Sequence, residues 1–559
     1  MNKGRKRKAD IPQPRRVSDT SRYVVPAVFV FIAAVYIISL AVIFPDMPIT
    51  TRQADTIPGY DRYYPPFRTD EYNYYDIAKN ILGGKLYEEG SFERAYPLGF
   101  SLVAAPFIAV FDTSGGYAAN VVIMLLSLWL YYCIIRRYGG RMHLNRGTSS
   151  LIALLLIMAF ATLNWFYAVS CYSEPLAQLL TVLAMYLIIR GRDSSRNAPD
   201  AADGAEQPYS PGAHRTLRLA QRKGACFFFV AAGIATGLNL FVRPHYILLA
   251  LPFFISLLIS GAPRLSLKNS GFLYVFGVAA VILVWLVRNS LVFGSPLSFE
   301  YTRMLGQFVP GGINEGVKGN VFTGTHRLLF DEFHGLLTIT PILLVFPAGL
   351  HRMWQRGLRN ESITLLVSVI MMILVFGSGP YPFTEFGLGS RHMVPMYPLM
   401  MIPAVFFLDE LLFSRSVILV LALYSFYHAG IGWFTGTYPG IGYFPGFLND
   451  SHARAIILAR KGVLPKRTFK TSEALLKAHI KSLNDFDMHT FLQTLDPKVV
   501  KAIQGRERDF LLYWRFNQGE LRSKIKSIDP ERGIEYESFS FVEPGGTSAP
   551  PPESQNNGP

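Results

Sequence analysis

Long apolar runs separated by short polar stretches fill residues 23–434 of the chain. An α-helix rises about 1.5 Å per residue, so about 20 residues cross the apolar layer of a bilayer. Most of the runs approach that length. They predict an all-α polytopic membrane protein with eleven spans, at about 24–44, 117–135, 150–170, 171–190, 225–242, 245–260, 271–292, 336–354, 362–379, 393–408 and 415–434.

A further apolar segment, 98–111, is shorter, and it would make a twelfth span if it crossed the membrane. Basic loops stay in the cytoplasm. The tail 1–22 has eight Lys or Arg against two acids, loop 136–146 has four Arg and no acid, and loop 191–224 is Arg-rich with a composition typical of disorder. These segments share one face only if 98–111 does not cross. We therefore expect 98–111 to lie partly in the membrane.

Composition divides the chain into four parts. Residues 1–22 are a basic cytoplasmic tail, and 23–434 are a transmembrane domain with outer loops 45–97 and 293–335. Residues 435–544 carry helical patterns and a strand-like run at 534–542, which predict a small, mostly helical extramembrane region outside. Residues 545–559 are rich in Pro, Ser, Asn and Gly, as disordered tails are.

The net charge is +15, which in a soluble chain would indicate a nucleic-acid partner. Here half of the residues are hydrophobic, the mean hydropathy is +0.25, and the Lys and Arg lie mainly between the apolar runs. In that position they orient the protein and contact anionic lipid headgroups. Composition therefore favours the lipid bilayer as partner and excludes nucleic acid.

An acidic pair, Asp70-Glu71, opens a short amphipathic segment in the first outer loop, and Gly83-Gly84 ends it. Two interpretations stay open on these residues alone. Acids after a capping Thr69 stabilise the positive end of a helix. A carboxylate near the lipid interface is also suited to take a proton from an acceptor hydroxyl.

More charged residues fall at the outer ends of the predicted spans. They are Glu93, Arg94, Glu174, Arg243, Arg391 and His392. An Arg at the end of a span often extends its side chain to the interface, which is the simpler interpretation of each Arg alone. Yet the topology brings all of these residues to the face that carries Asp70. Polar groups at membrane depth are costly, and Arg binds phosphate oxygens in a bidentate manner, so the set predicts a phosphate or pyrophosphate clamp.

Three segments carry a resemblance: Asp70-Glu71, the turn Tyr96-Pro97-Leu98-Gly99, and Gly389-Ser390-Arg391-His392 followed by Pro395 and Pro398. Softer similarities are Ser173-Glu174-Pro175, Gly237-Leu238 before Arg243-Pro244, and Phe293-Gly294-Ser295-Pro296. In their order and common sidedness these segments resemble the GT-C superfamily of membrane glycosyltransferases. The similar group contains the protein O-mannosyltransferases and the lipid A aminoarabinose transferases, and the resemblance covers about residues 20–434.

The resemblance implies a GT-C-like fold in a bacterial inner (plasma) membrane and an inverting transfer outside it. The donor would be a polyprenyl-phosphate-linked sugar, and the acceptor a hydroxyl of a protein, lipid or glycan. Asp70 takes the place of the base and Glu71 that of the second acid. Glu93, Arg94, Glu174, Arg243, Arg391 and His392 are then the substrate- or phosphate-binding candidates.

No cofactor is demanded, because a lipid phosphate leaves with less help than a nucleotide diphosphate. Asp70 and Glu71 could still hold a divalent cation. The protein O-mannosyltransferases carry His or Lys before the Pro-Leu turn, whereas Tyr96 stands here with Arg94 nearby. The subfamily, the sugar and the acceptor therefore stay open.

Three other functions compete with transfer. A transporter or flippase of a lipid-linked sugar would need charges within the spans and a pathway to both faces, and the apolar runs have almost none near their centres. A glycan polymerase or ligase of another membrane fold could use the Arg and His residues of loop 293–335. A membrane anchor for the C-terminal region would need far fewer spans.

Overall fold

The structure is a computed structural model that describes residues 21–43, 69–85, 96–141, 147–196, 211–259, 267–298, 320–330, 335–378, 390–408, 412–436, 527–529, 534–535 and 540–541. These residues are almost entirely helical. The α-helices are α1 (Ser21–Ile43), α2 (Thr69–Leu82), α3 (Leu98–Phe111), α4 (Gly115–Arg141), α5 (Gly147–Phe160), α6 (Asn164–Ala168), α7 (Glu174–Arg196), α8 (Pro211–Leu238), α9 (Ala250–Ile259), α10 (Leu267–Phe293), α11 (Val321–Phe330), α12 (Leu336–Ile339), α13 (Val345–Gln355), α14 (Arg359–Ser378), α15 (Tyr397–Met401), α16 (Ala404–Phe407) and α17 (Leu412–Gly436).

Several predicted spans are broken into short helices and 3-10 turns. These turns are Asn239–Phe241, Pro244–Leu249, Pro341–Leu344 and Arg391–Met396, and a further turn, Asp112–Ser114, lies between α3 and α4. Proline begins two of these turns and lies inside a third, which is expected because Pro removes a helical hydrogen bond. The predicted spans 245–260, 336–354 and 393–408 are therefore not single helices.

Six stretches of the described chain are long and apolar enough to cross a membrane. They are Tyr23–Leu40, Leu98–Gly139, Glu174–Ser195, Gly224–Phe241, Ser270–Phe293 and Arg359–Ser378, and two shorter apolar helical stretches are Thr148–Phe160 and Pro244–Ile259. Large apolar side chains such as Phe31, Leu283 and Leu291 are exposed on these helices. Exposed apolar faces on long helices are what a lipid environment requires. The described chain is thus a polytopic α-helical membrane protein.

Charged side chains lie at both ends of the long helices. The first end, here called the Glu174 end, carries Glu174 at the start of α7 and Arg243 just after α8. At the opposite end, here called the Arg192 end, Arg192 near the end of α7 pairs with Glu361 near the start of α14. Arg137 near the end of α4 pairs there with Asp193. The two clusters of charge therefore lie at opposite ends of the same helices.

Helix α8 is longer than its apolar run, because it already begins at Pro211 inside the predicted loop 191–224. Helix α7 likewise continues to Arg196. The prediction that this loop looks disordered is therefore wrong for both of its ends. Farther along, Gly233 of α8 and Gly277 of α10 bring the two helix backbones together, since a Cβ at either would collide with the other helix. Small residues permit this close packing in membrane helices.

The predicted amphipathic helix of the first loop is confirmed as α2. It ends where predicted, because Gly84 adopts a left-handed φ of 76° and Lys85 N–H donates back to the Asn80 carbonyl at 2.8 Å. Helix α3 is attached to α2 at both of its ends. Ser101 donates to the Tyr74 carbonyl at 2.9 Å, and Asp112 accepts from Tyr75 at 2.7 Å. These attachments agree with the expectation that 98–111 stays at one face.

Three short strands, β1 (Ser527–Asp529), β2 (Ile534–Glu535) and β3 (Ser540–Phe541), pair in antiparallel order β1-β2-β3. Two of them fall in the strand-like run 534–542. The basic tail 1–20, most of loop 45–97, most of loop 293–335, the helical patterns within 437–526 and the tail 545–559 lie outside the described residues.

Candidate functional site

Glu174 forms a buried ion cluster with two arginines from distant segments. Its Oε1 accepts a hydrogen bond from Arg243 Nη2 and lies 3.5 Å from Arg391 Nε. The side chains of Glu174, Arg243 and Arg391 are at most 7% exposed. Neither arginine therefore extends to an interface, and the simpler interpretation of these residues is wrong in this structure. The three side chains carry two positive charges and one negative charge, which leaves a net charge of +1.

Aromatic side chains surround this cluster. The Arg391 guanidinium lies over the Tyr172 ring, 5.0 Å from its centroid. The Tyr246 hydroxyl donates to the His392 carbonyl, and Phe376 stacks on the His392 ring at 5.2 Å. A cation over an aromatic face gains further stabilisation when both are desolvated. Aromatic, buried surroundings lower the local dielectric constant, which strengthens the electrostatic interactions between these charges.

His392 adjoins the cluster without adding charge to it. Burial lowers the pKa of its imidazole well below the ordinary value, and the nearby Arg243, Arg391 and His245 lower it further. A neutral imidazole is a hydrogen-bonding group rather than a cation at pH 7. The two arginines therefore supply the positive charge of this site.

Glu71 is fully buried, and both of its oxygens accept hydrogen bonds. The Cys171 backbone N–H donates to Oε1 at 3.0 Å, and the Tyr117 hydroxyl donates to Oε2 at 3.2 Å. These bonds tie the start of α2 to α4 and to the segment before α7. Among the described residues, no group of three or more His, Cys, Asp or Glu could hold a metal ion.

The segment 170–174 joins the acidic loop helix to the ion cluster. Cys171 N–H bonds Glu71, the Ser173 hydroxyl bonds the Tyr74 hydroxyl at 2.8 Å, and Glu174 follows directly. Asn120 of α4 fixes the same segment by donating to the carbonyls of Ser170 at 2.6 Å and of Tyr172 at 2.7 Å. Hydrogen bonds to successive residues hold the backbone in one conformation. The first turn of α2 and the ion cluster are therefore parts of one rigid assembly.

The structure describes the other candidate residues only in part. Asp70 lies beside Glu71 in the first turn of α2, and its side chain is outside the described part. Glu93 and Arg94 lie outside the described residues altogether, while the turn that follows them is anchored by the contact of the Tyr96 ring with the Tyr74 ring at 5.4 Å. The structure therefore brings Glu71, Glu174, Arg243, Arg391 and His392 to the Glu174 end.

Sequence patterns did not indicate several residues that shape this site. Tyr172, Tyr246 and Phe376 looked like ordinary aromatic residues of apolar runs. The only available hint was the position of Tyr172 directly before Ser173-Glu174-Pro175, one of the softer similarities. Aromatic residues are common near membrane interfaces, so composition cannot separate these few from the rest.

No protein-family description matches the chain, and no curated protein matches it. A crystal structure of ArnT from Cupriavidus metallidurans bound to undecaprenyl phosphate is similar with a TM-score of 0.45 and 15% identity, over 84% of this chain and 81% of that one. The described fold and site define a helical membrane protein with a buried, net-positive arginine–carboxylate cluster at one end of its helices. The chemistry of this cluster is therefore inferred from the residues of this chain.

Proposed function

We propose that the chain is a GT-C-type membrane glycosyltransferase that moves a sugar from a polyprenyl-phosphate carrier to an acceptor hydroxyl. The observation that carries the proposal is the buried cluster of Glu174, Arg243 and Arg391. It lies in one assembly with the helix that begins at Asp70-Glu71. A phosphate-binding group and an acidic helix start then stand together at one end of a membrane protein.

The cluster suits a lipid phosphate leaving group. Its net charge of +1 would offset the charge that the phosphate gains as the bond to the sugar breaks. Glu174 holds the two guanidinium groups before substrate arrives, so little reorganisation is needed during the reaction. The apolar faces of the surrounding helices suit the polyprenyl chain.

Asp70 is the proposed base, and Glu71 the residue that positions it. The carboxylate of Glu71 is buried and occupied by two donors, so it is poorly placed to take a proton from a substrate. Asp70 is the neighbouring acid on the same helix turn. It would remove the proton of the acceptor hydroxyl while that oxygen attacks the anomeric carbon and the C–O bond to the phosphate breaks.

Transport is less well supported by the described contacts. At the Arg192 end, Arg192 pairs with Glu361 and Arg137 pairs with Asp193. Arg192 also donates to the Ser256 carbonyl at 2.8 Å and to its hydroxyl at 2.7 Å. These bonds join α7 to α9 and α14 at that end. A flippase would need the same end to open during each cycle.

By the positive-inside rule the basic Arg192 end belongs in the cytoplasm and the Glu174 end outside. The proposed site thus faces the outside, where a lipid-linked sugar that has been moved across the membrane would be used as donor. A bacterial inner membrane is the proposed location.

The decisive experiment measures transfer from radiolabelled polyprenyl-phosphate sugars by the purified protein, using membrane extracts as the source of acceptor. Asp70→Asn should lower the rate by about 10² to 10⁴, the usual share of a general base. Asp76→Asn, on the same helix, is the matched control and should keep wild-type activity. Full activity in Asp70→Asn would overturn the base assignment. Absence of transfer from every sugar tested, with no binding of polyprenyl phosphate, would overturn the proposed function.

A further inference from the structure

Asn239 stands out among the buried amides of the described chain. Its side chain belongs to a residue that is 1% exposed, and neither its oxygen nor its nitrogen has a hydrogen-bond partner in the described structure. The buried amides of Asn120, Asn164 and Gln178 each donate at least one bond, at 2.6, 3.1 and 2.9 Å. A buried amide left without partners destabilises the folded protein. Such a cost indicates a group kept for something that binds there.

The backbone at Asn239 is held tightly beside the ion cluster. Its carbonyl accepts from Val242 N–H at 3.0 Å and from Arg243 N–H at 2.7 Å, so the turn leads directly into the arginine that holds Glu174. On its other side, Gly99 of α3 packs so closely that a Cβ there would lie 2.6 Å from the Phe241 carbonyl oxygen. The turn cannot easily shift to find other partners for the amide.

The chemistry of an amide narrows the class of ligand. Asn offers one acceptor oxygen and two N–H donors. A phosphate only accepts and would leave the amide oxygen without a partner. A metal ion would use the oxygen alone. Hydroxyl groups both donate and accept, so two neighbouring hydroxyls of a sugar satisfy the whole amide. The uncharged amide, in the turn that leads into Arg243, therefore fits the sugar rather than the phosphate.

We infer that Asn239 is a sugar-binding residue of the donor site, where its amide hydrogen-bonds ring hydroxyls while Arg243 and Arg391 hold the adjoining phosphate. This inference rests on the proposed function and adds a recognition element to it. The donor it selects is a lipid-linked sugar with free vicinal hydroxyls.

The test separates recognition of the sugar from recognition of the phosphate by measuring binding, which needs no acceptor. Purified protein is titrated with a short-chain polyprenyl phosphate and with its mannosyl, glucosyl and arabinosyl derivatives, and with the corresponding deoxy sugars. Wild type should bind at least one sugar-bearing lipid more tightly than the bare phosphate. Asn239→Leu removes the amide and roughly keeps its volume. It should weaken binding of the sugar-bearing lipid about 10- to 100-fold and leave the affinity for the bare polyprenyl phosphate unchanged.

The Tm of the protein without ligand is a second measurement. A structural role of Asn239 predicts a lower Tm in Asn239→Leu, whereas a sugar-binding role predicts an equal or higher Tm. Without ligand, Asn239→Leu should keep or raise the Tm, because it removes an unsatisfied polar group. Asn164→Leu is the matched control: it removes an amide that donates to the Met158 carbonyl, so it should lower the Tm and leave the order of sugar preference unchanged.

Opposite results overturn the inference. If Asn239→Leu lowers the Tm as Asn164→Leu does and binds sugar-bearing lipid like wild type, the amide is satisfied by an internal water and does not bind the donor. If wild type binds the bare phosphate as tightly as every glycosylated form, the phosphate clamp stands and the sugar-binding role fails. If wild type binds none of these lipids, the proposed function fails, and this inference fails with it.

Discussion

The carboxylate of Glu71 accepts a hydrogen bond from the backbone N–H of Cys171 at 3.0 Å, although the two residues are 100 positions apart. This bond fixes the first turn of the loop helix α2 against the segment that leads to Glu174. It separates the roles of two adjacent acids that look equivalent in the sequence. Glu71 anchors the helix, and Asp70 is the acid to which the proposed function assigns the role of base.

The anchoring role predicts that Glu71→Gln lowers stability. Gln keeps the shape and one acceptor but places an NH₂ group against a donor, so the loss should be about 1–3 kcal/mol. Thermal unfolding in detergent measures it. Tyr117→Phe removes one of the two bonds and should cost less, about 1 kcal/mol. A Glu71→Gln protein with wild-type Tm and no activity would instead make Glu71 a catalytic residue.

Replacing the central carboxylate of the ion cluster should expose two uncompensated arginines. Glu174→Gln is expected to lower stability by about 3 kcal/mol, the usual cost of breaking a buried ion pair. An added polyprenyl phosphate should raise the Tm of this variant more than that of wild type, because the anion replaces the lost charge. Differential scanning fluorimetry with and without the lipid checks both effects.

Glu361→Gln is the matched control for the cluster, since Glu361 lies 3.7 Å from Arg192 at the opposite end. It should also lower the Tm, but the lipid should stabilise it only as much as wild type. An equal gain in both variants would mean that the lipid does not bind at Glu174.

The buried imidazole of His392 predicts a pH dependence of stability. Its pKa is lowered by burial first and then by Arg243, Arg391 and His245. As the pH falls, His392 is therefore protonated in the unfolded chain before it is protonated in the folded protein. Stability is therefore complete above the unfolded value of about 6.5 and falls below it, by up to about 1.4 kcal/mol per pH unit. Tm measured between pH 7.5 and 5.5 should fall less steeply in His392→Gln than in wild type.

The same prediction distinguishes a neutral from a charged role. Affinity for the bare lipid phosphate should not depend on His392 between pH 6 and 8. If affinity instead rises as the pH falls through this range, and the rise disappears in His392→Gln, the imidazole is a cation of the clamp.

The attachment of both ends of α3 to α2 predicts the topology of the first loop. A cysteine placed at position 85 should react with an impermeant maleimide added from outside, and one at position 140 should react only after the membrane is opened. A protein without native cysteines is the background for both variants. Labelling of position 140 from outside would show that α3 crosses the membrane.

Local patterns in the sequence determined the helical membrane class, the approximate positions of many helices, and the bounds of α2 with its stop at Gly84. They also indicated Glu174, Arg243 and Arg391 as candidates. Hydrophobic periodicity, glycine conformation and charge at helix ends are properties of neighbouring residues, so one chain reveals them. Breaks in the spans at 341–344 and 391–396 were less visible, because an apolar run shows the same composition whether or not it is one helix.

Tertiary structure alone decided how these residues are used. Arg243 is 69 positions from Glu174, and no spacing rule predicts that they meet or that Arg391 joins the same carboxylate oxygen. The burial of Glu71 against Cys171 and Tyr117, and the unsatisfied amide of Asn239, likewise depend on which segments approach each other. Burial and pairing arise when distant elements pack, and that packing sets the charge and hydrogen-bonding capacity of the site.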